Sequence, residues 1–178
     1  MQNVMVRLNA VIFFALTVLL VLAVLGWFSS YMHVGDPKVK MIRLDEVYKM
    51  YNFSGQDKAF LKFHLSADLR PAFHWNIKQL YVFVVAEWET DTHHLNQVII
   101  WDRIIESKED AVIKLKQEKL KYFLLAQGPD LRARDVTLKL MWDHMPLTGS
   151  LYMAEDPKNS TFVTPEQLTT STTKKTRR

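Results

Sequence analysis

The sequence predicts an all-β fold, an antiparallel β-sandwich, carried on a single N-terminal transmembrane helix and followed by a flexible C-terminal tail. Three observations predict it. One long apolar run opens the chain, period-two alternation of apolar and polar residues recurs after it, and turn-forming residues separate the alternating segments. The 178 residues are 48% hydrophobic and 24% charged, the composition of a globular domain rather than a disordered or fibrous chain.

The apolar run comes first. After Arg7 no charged residue occurs until Asp36, and Ala10–Phe28 reads AVIFFALTVLLVLAVLGWF, with Thr17 its one mildly polar residue. As a helix, these residues span about 28 Å, close to the hydrocarbon thickness of a bilayer. Trp27 and Tyr31 fall at one end, where amphipathic rings favour the membrane interface. A cleaved signal peptide is the rival reading. The run exceeds the usual apolar length of such peptides, and Val24 and Gly26 offer only a weak cleavage site, so an uncleaved anchor over residues 10–31 is expected. Charge does not settle its direction: Arg7 and the α-amine lie on one side, Lys38, Lys40 and Arg43 on the other.

Gly35-Asp36-Pro37 breaks the helix, and the domain is expected over residues 32–155. In DKAFLKFHLSADL, Ala59, Leu61, Phe63, Leu65 and Ala67 alternate with Lys58, Lys62, His64, Ser66 and Asp68, the pattern of a half-buried strand. LYVFVVAEWE is apolar on both faces up to Ala86, as in a strand with neighbours on each side, and QVIIWDRII reads similarly. Val136, Leu138, Leu140 and Trp142 alternate with Thr137, Lys139, Met141 and Asp143 in the cleanest strand of the chain. Arg70-Pro71, Thr90–His94, Gln127–Asp130 and Met145–Gly149 supply turns. In AVIKLKQEKLKYFLLA, Ile113, Gln117, Leu120 and Leu124 would share a helical face, whereas Ile113 and Leu115 fit a strand; two short strands interrupted near Lys116–Lys119 are favoured. Residues 156–178, threonine-rich with a basic end at Lys174–Arg178, offer too little apolar surface to offset ordering and are expected to form a flexible tail.

Composition also narrows the chemistry. The net charge is +4 without a dense Lys/Arg stripe, which disfavours nucleic acid as a partner, and the absence of cysteine removes disulfides, thiolate metal sites and a cysteine nucleophile. The six histidines include the adjacent His93 and His94, but no His-x-x-x-His pair supports zinc, and no metal or cofactor is expected. Ser54, Ser66, Ser107 and Ser150 lack a Gly-x-Ser-x-Gly setting. Glu87 with Glu89, or Asp102 with Glu106, could be drawn as carboxylate pairs, yet exposed acids at strand ends are common. No catalytic constellation stands out.

A set of amides and indoles does stand out: Trp75, Asn76 and Gln79 before one strand, Asn96, Gln97 and Trp101 at the next. Amides there usually satisfy loop backbone groups and a buried Trp usually fills a core; alternatively, they form or underlie the rim of a partner surface. Asn52-Phe53-Ser54 and Asn159-Ser160-Thr161 are glycosylation triplets, making Asn52 and Asn159 possible acceptors if they face a secretory lumen.

PAFHWNIKQLYVFVVAEWET, LNQVIIWDRII and KYFLLAQGPDLRARDVTLKLMWDHMPLTG, in that order behind an N-terminal anchor, closely resemble the subunit 3 family of the eukaryotic signal peptidase complex. The likeness is strong from Ser66 to Gly149, general in character over residues 34–65, and absent from the tail. It implies a single-pass protein of the endoplasmic reticulum membrane, with residues 1–9 cytosolic and the sandwich lumenal. It also implies a non-catalytic accessory role: supporting, with the other subunits, the catalytic subunit that removes signal peptides. Trp75, Asn76, Gln79, Asn96 and Trp101 would lie in or beneath the contact with that subunit. The sequence departs from the family where Asp135-Val136-Thr137 replaces a common glycosylation triplet, and where His74 and Asp143-His144 replace residues that are commonly amides or apolar. Two rivals remain at this point, a membrane-anchored lectin-like module that stacks Trp on sugars and a hydrolase relying on Glu87 or Glu89.

Overall fold

In a computed structural model describing residues 3–30, 32, 35 and 37–169, one helix leads into eight strands. Helix α1, Val4–Ser30, contains no buried residue. It starts ahead of the apolar run because Asn3 already accepts from the amides of Val6 and Arg7, at 2.9 and 3.3 Å. Thr17 is tolerated in the apolar stretch because its hydroxyl donates to the Phe13 carbonyl one turn earlier, at 2.8 Å. Length and composition suit α1 to cross a bilayer.

The strands are β1 (Lys38–Phe53), β2 (Gln56–Asp68), β3 (Ile77–Trp88), β4 (Asn96–Ile105), β5 (Val112–Lys119), β6 (Leu124–Leu125), β7 (Asp135–Pro146) and β8 (Tyr152–Val163). They form two antiparallel sheets. One has the order β1-β2-β5 with β6 also paired to β2, and the other the order β4-β3-β7-β8. The expected sandwich is what forms: inward residues of both sheets share one core, and Phe63 of the first sheet meets Trp101 of the second edge to face at 6.3 Å. Ala59, Leu61, Phe63, Leu65 and Ala67 are all buried, as are Val136, Leu138, Leu140 and Trp142. Central strand β3 buries every residue from Val82 to Ala86, which accounts for its two-sided apolar sequence.

Three differences from the sequence reading have physical causes. The first concerns β1, whose length the alternation did not reveal. Register shifts after Val39, Leu44 and Val47 break its period and turn successive side chains out of phase. Next, the 111–126 stretch forms two strands, β5 and β6, rather than a helix, but the interruption between them lies later than expected. At Lys116–Gln117 the strand only bulges, with Gln117 at φ 52°, and the chain leaves the sheet after Lys119 before β6. The third is a correction of the boundary at residue 156. Residues 156–163 complete β8, paired from Asp135↔Val163 to His144↔Tyr152, so the sandwich does not end at Glu155. An edge strand exposes both faces and needs little apolar sequence, and Pro157 is accommodated where the register shifts between Lys139 and Met141. Beyond β8, Thr169 exchanges two hydrogen bonds with the backbone of Met50, at 2.7 and 3.0 Å. The remaining tail, including Lys174–Arg178, lies outside the described residues, as do Tyr31 and Asp36.

One charge is fully buried at the end of the sandwich holding the β1–β2 turn. Asp57 is closed off from solvent and accepts from Arg132 Nε and Nη2 at 3.0 and 3.1 Å and from Asn52 Nδ2 at 2.8 Å. Its backbone bonds Gly128 and Ala126, so one residue ties the β1–β2 turn to the loop before β7. Removing a partner would leave a buried carboxylate without its cation. Arg132→Ala is therefore expected to lower unfolding free energy by about 3 kcal/mol in denaturant titration of the detergent-solubilised chain, well beyond an exposed arginine substitution.

Candidate functional site

The most organised polar arrangement lies where the helix meets the sandwich. Asn76, at the mouth of β3, is completely buried. Its Nδ2 donates to Ser30 Oγ at 2.7 Å and to the Thr148 carbonyl at 2.8 Å. Its Oδ1 accepts from the Thr148 amide at 3.1 Å and hydroxyl at 3.2 Å. The side-chain amide thus uses its full capacity of two donors and two acceptor positions. Its main chain is engaged too: the Leu147 amide donates to the Asn76 carbonyl at 2.7 Å, and the Asn76 amide donates to His74 Nδ1 at 3.3 Å. Ser30 completes the chain by donating to the Gly26 carbonyl at 3.1 Å. One amide therefore latches the last turn of α1, the loop before β3 and the β7–β8 loop together.

Two glycines permit the close packing around this latch. A Cβ on Gly149 (φ 115°) would stand 2.6 Å from Trp27 Cδ1, and one on Gly26 would stand 3.3 Å from the Trp75 ring. A cavity of about 360 Å³ opens beside the latch, lined mainly by apolar groups that include Trp27, Trp142, Pro146 and Tyr152, with His74 and His144 on its wall. His144 is 6% exposed, stacks on Tyr152 at 4.0 Å and donates from Nδ1 to the Tyr152 carbonyl at 3.3 Å. Burial lowers its pKa; the hydrogen bond to Tyr152 opposes this, and the nearby His74 adds to it.

The five singled-out residues occupy different settings. Trp75, 55% exposed, and Asn76 sit together at the latch. Gln79 lies on β3 nearby, half-buried, with Nε2 against Met145 Sδ at 3.0 Å. Asn96 is at the opposite end of β3–β4, where its Nδ2 donates to the carbonyls of Trp88 and His93 at 3.2 and 3.3 Å. Trp101 is in the core. The backbone-satisfying role therefore describes Asn76 and Asn96, and the core-filling role describes Trp101. Ser30 and Thr148, the latch partners, carry no sequence signal, because they are 46 and 72 residues from Asn76.

Other candidates are engaged in surface contacts. Glu87 pairs with Lys139 and accepts from Gln97, and Asp102 pairs with Lys121 at 2.7 Å. Among the described residues no cluster of three or more His, Cys, Asp or Glu could hold a metal ion. Asn159 is exposed on β8, whereas Asn52, also exposed, spends its amide on Asp57. Sequence reasoning also passed over an aromatic group on the outer face of the first sheet. Phe60 lies 6.0–6.1 Å from the rings of Tyr48, Tyr51 and Phe123, and Lys58 stands over Phe53 and Phe123 at 4.6 and 4.9 Å. Phe60 on the otherwise polar face of β2 was the available signal.

The low imidazole pKa makes the latch region pH-dependent. The unfolded chain takes up the His144 proton near the ordinary value of 6.5, the folded chain only at lower pH. Stability is therefore expected to fall as pH drops from about 6.5, until the folded imidazole also protonates. His144→Gln should flatten that part of the pH–stability curve, measured by denaturant midpoints between pH 7.5 and 5.

Comparison with known proteins matches this architecture to relatives over most of its length. The family model described as "Signal peptidase subunit" matches residues 1–167. "Signal peptidase complex subunit 3" of Gallus gallus is 34% identical over 158 residues, 85% of this chain and 87% of the relative. The protein of the same name in Debaryomyces hansenii is 38% identical over 116 residues, 65% of this chain and 61% of the relative. "Adipocyte-related X-chromosome expressed sequence 1" of Mus musculus is 41% identical over 108 residues, 58% of this chain. The aligned part spans about three fifths of the length of the Mus musculus and Debaryomyces relatives, at 60% and 61%. With a family match reaching from the anchor helix through the last strand of the sandwich, the chain belongs to the signal peptidase subunit family.

Proposed function

We propose that the chain is a non-catalytic accessory subunit of the signal peptidase complex, spanning the endoplasmic reticulum membrane once through α1, with a cytosolic amino terminus and a lumenal sandwich. It braces the catalytic subunit that removes signal peptides. Family membership supports a role in that complex. The observation that carries the bracing role is the Asn76 latch. A domain on a flexible linker would raise only the local concentration of its partner, whereas a domain bolted to its anchor also restricts height and tilt above the membrane.

Within this reading, Trp75, Gln79 and Asn96 meet the catalytic subunit through side chains that keep some accessible surface, while Asn76 and Trp101 act from beneath. The lectin-like alternative finds no support: Trp88, Trp101 and Trp142 are 4–6% exposed, Trp27 belongs to the anchor helix itself and Trp75 packs against that helix at Gly26.

Affinity purification of the full chain from microsomes tests the assignment. Trp75→Ala, Gln79→Ala and Asn96→Ala should each reduce co-purification of the catalytic subunit several-fold while the chain remains membrane-integrated. Asn76→Ala should lower recovery as well, through loss of the latch. Undiminished recovery across all four rejects the assignment, and peptide hydrolysis by the purified chain alone rejects the non-catalytic reading. A lumenal sandwich also predicts modification of Asn159, whose side chain is free to carry a glycan, over Asn52. The endoglycosidase-sensitive mass shift should vanish in Asn159→Gln and persist in Asn52→Gln.

A further inference from the structure

The sandwich end that packs on α1 keeps large apolar side chains in the open. Trp75 is 55% exposed, Leu147 63% and Leu151 62%, and all belong to the two loops held by the Asn76 latch. Isolated exposed leucines need no explanation, but the position of these does. Their loops touch the helix inside its apolar run rather than beyond it: Gly149 abuts Trp27, and Trp75 abuts Gly26, while the run continues to Phe28. The helix end at Ser30 lies four residues beyond Gly26, about 6 Å of rise. The loops therefore reach back alongside the membrane segment to the depth of its terminal Trp.

We infer that these loops form a second membrane contact, in which Leu147, Leu151 and the Trp75 indole insert into the headgroup–acyl boundary of the bilayer that α1 spans. The occupant is lipid, because a helix that is apolar on all sides and buries none of its residues carries lipid around it to that depth. The chemistry fits: leucines gain from leaving water, and an indole favours the interface, where its ring is apolar and its N–H remains hydrated. The latch supplies the geometry, holding the loops beside the helix instead of letting them lift off. Anchor and seat together then fix the sandwich at one height above the membrane. This inference rests on α1 being membrane-spanning.

The chain has no cysteine, so single-cysteine reporters are unambiguous. Leu147→Cys and Leu151→Cys are placed at exposed positions, and Ser54→Cys serves as the reference in the β1–β2 turn, at the far end of the sandwich. Each full-length variant carries an environment-sensitive fluorophore and is reconstituted into phosphatidylcholine vesicles, with or without bromine on the acyl chains near the glycerol. The expected result is blue-shifted emission and quenching by brominated lipid at residues 147 and 151, with neither at 54. Alkaline carbonate extraction of the same vesicles keeps the two readings apart. A retained chain whose labels at 147 and 151 behave like that at 54 overturns the membrane seat alone. A chain released by carbonate overturns the spanning helix and the seat with it.

Discussion

The placement of the sandwich depends on one fully satisfied buried amide. A single helix joined to a domain by a few residues leaves that domain free to swing, because nothing in the covalent chain fixes its angle. Asn76 removes this freedom at small net cost. Its side chain exchanges water for four hydrogen bonds, so little desolvation remains uncompensated, and their partners, Ser30 and Thr148, come from two segments far from it in sequence. Any arrangement that pulled Ser30 or the β7–β8 loop away would strand a buried donor or acceptor. A purely apolar contact would be as adhesive but would allow sliding; directional bonds specify a single register.

Glycine and aromatic residues turn that register into contact. At Gly149 the backbone itself touches Trp27, which no side chain would allow, and at Gly26 the helix surface is low enough for Trp75 to approach. The same positions that bring the loops to the helix also leave Leu147 and Leu151 facing outward. Close packing and apolar exposure at this end are thus two consequences of one geometry. The opposite end, where Arg132 neutralises the buried Asp57, relies on charge instead.

How much of this could be read from the sequence varied with the cause of each feature. Strands that are covered on one face announce themselves, as Leu61, Phe63 and Leu65 do by strict alternation, and a strand covered on both does so by its unbroken apolar run at Val82–Ala86. Strands β1 and β8 were partly hidden because each lies at a sheet edge and shifts register, which breaks the period that a reader counts. Composition did not help there, since an edge strand such as β8 is held by backbone bonds to β7 and buries little else. Asn76 was legible as an unusual amide at a strand mouth, but its partners were not. Ser30 and Thr148 are ordinary residues until the fold brings them together from opposite sides in sequence, and only topology makes them a latch.

That separation in sequence bears on how the anchor can constrain surfaces far from it. The side chain that ties the sandwich to the anchor, Asn76, is completely buried, while surfaces available to other molecules lie on the strand that begins beside it. Strand β3 begins at the latch and runs through the centre of its sheet to Trp88, paired on both sides along nearly its whole length. A twisted sheet hydrogen-bonded in this way resists bending, so a constraint applied at Ile77 is transmitted to Asn96 without any moving part. Loosening the latch would leave the sandwich folded, since its core contains neither Ser30 nor Thr148, yet would release every surface on it from a fixed position relative to the helix. In this architecture a mutation far from a partner contact can therefore weaken that contact through orientation alone.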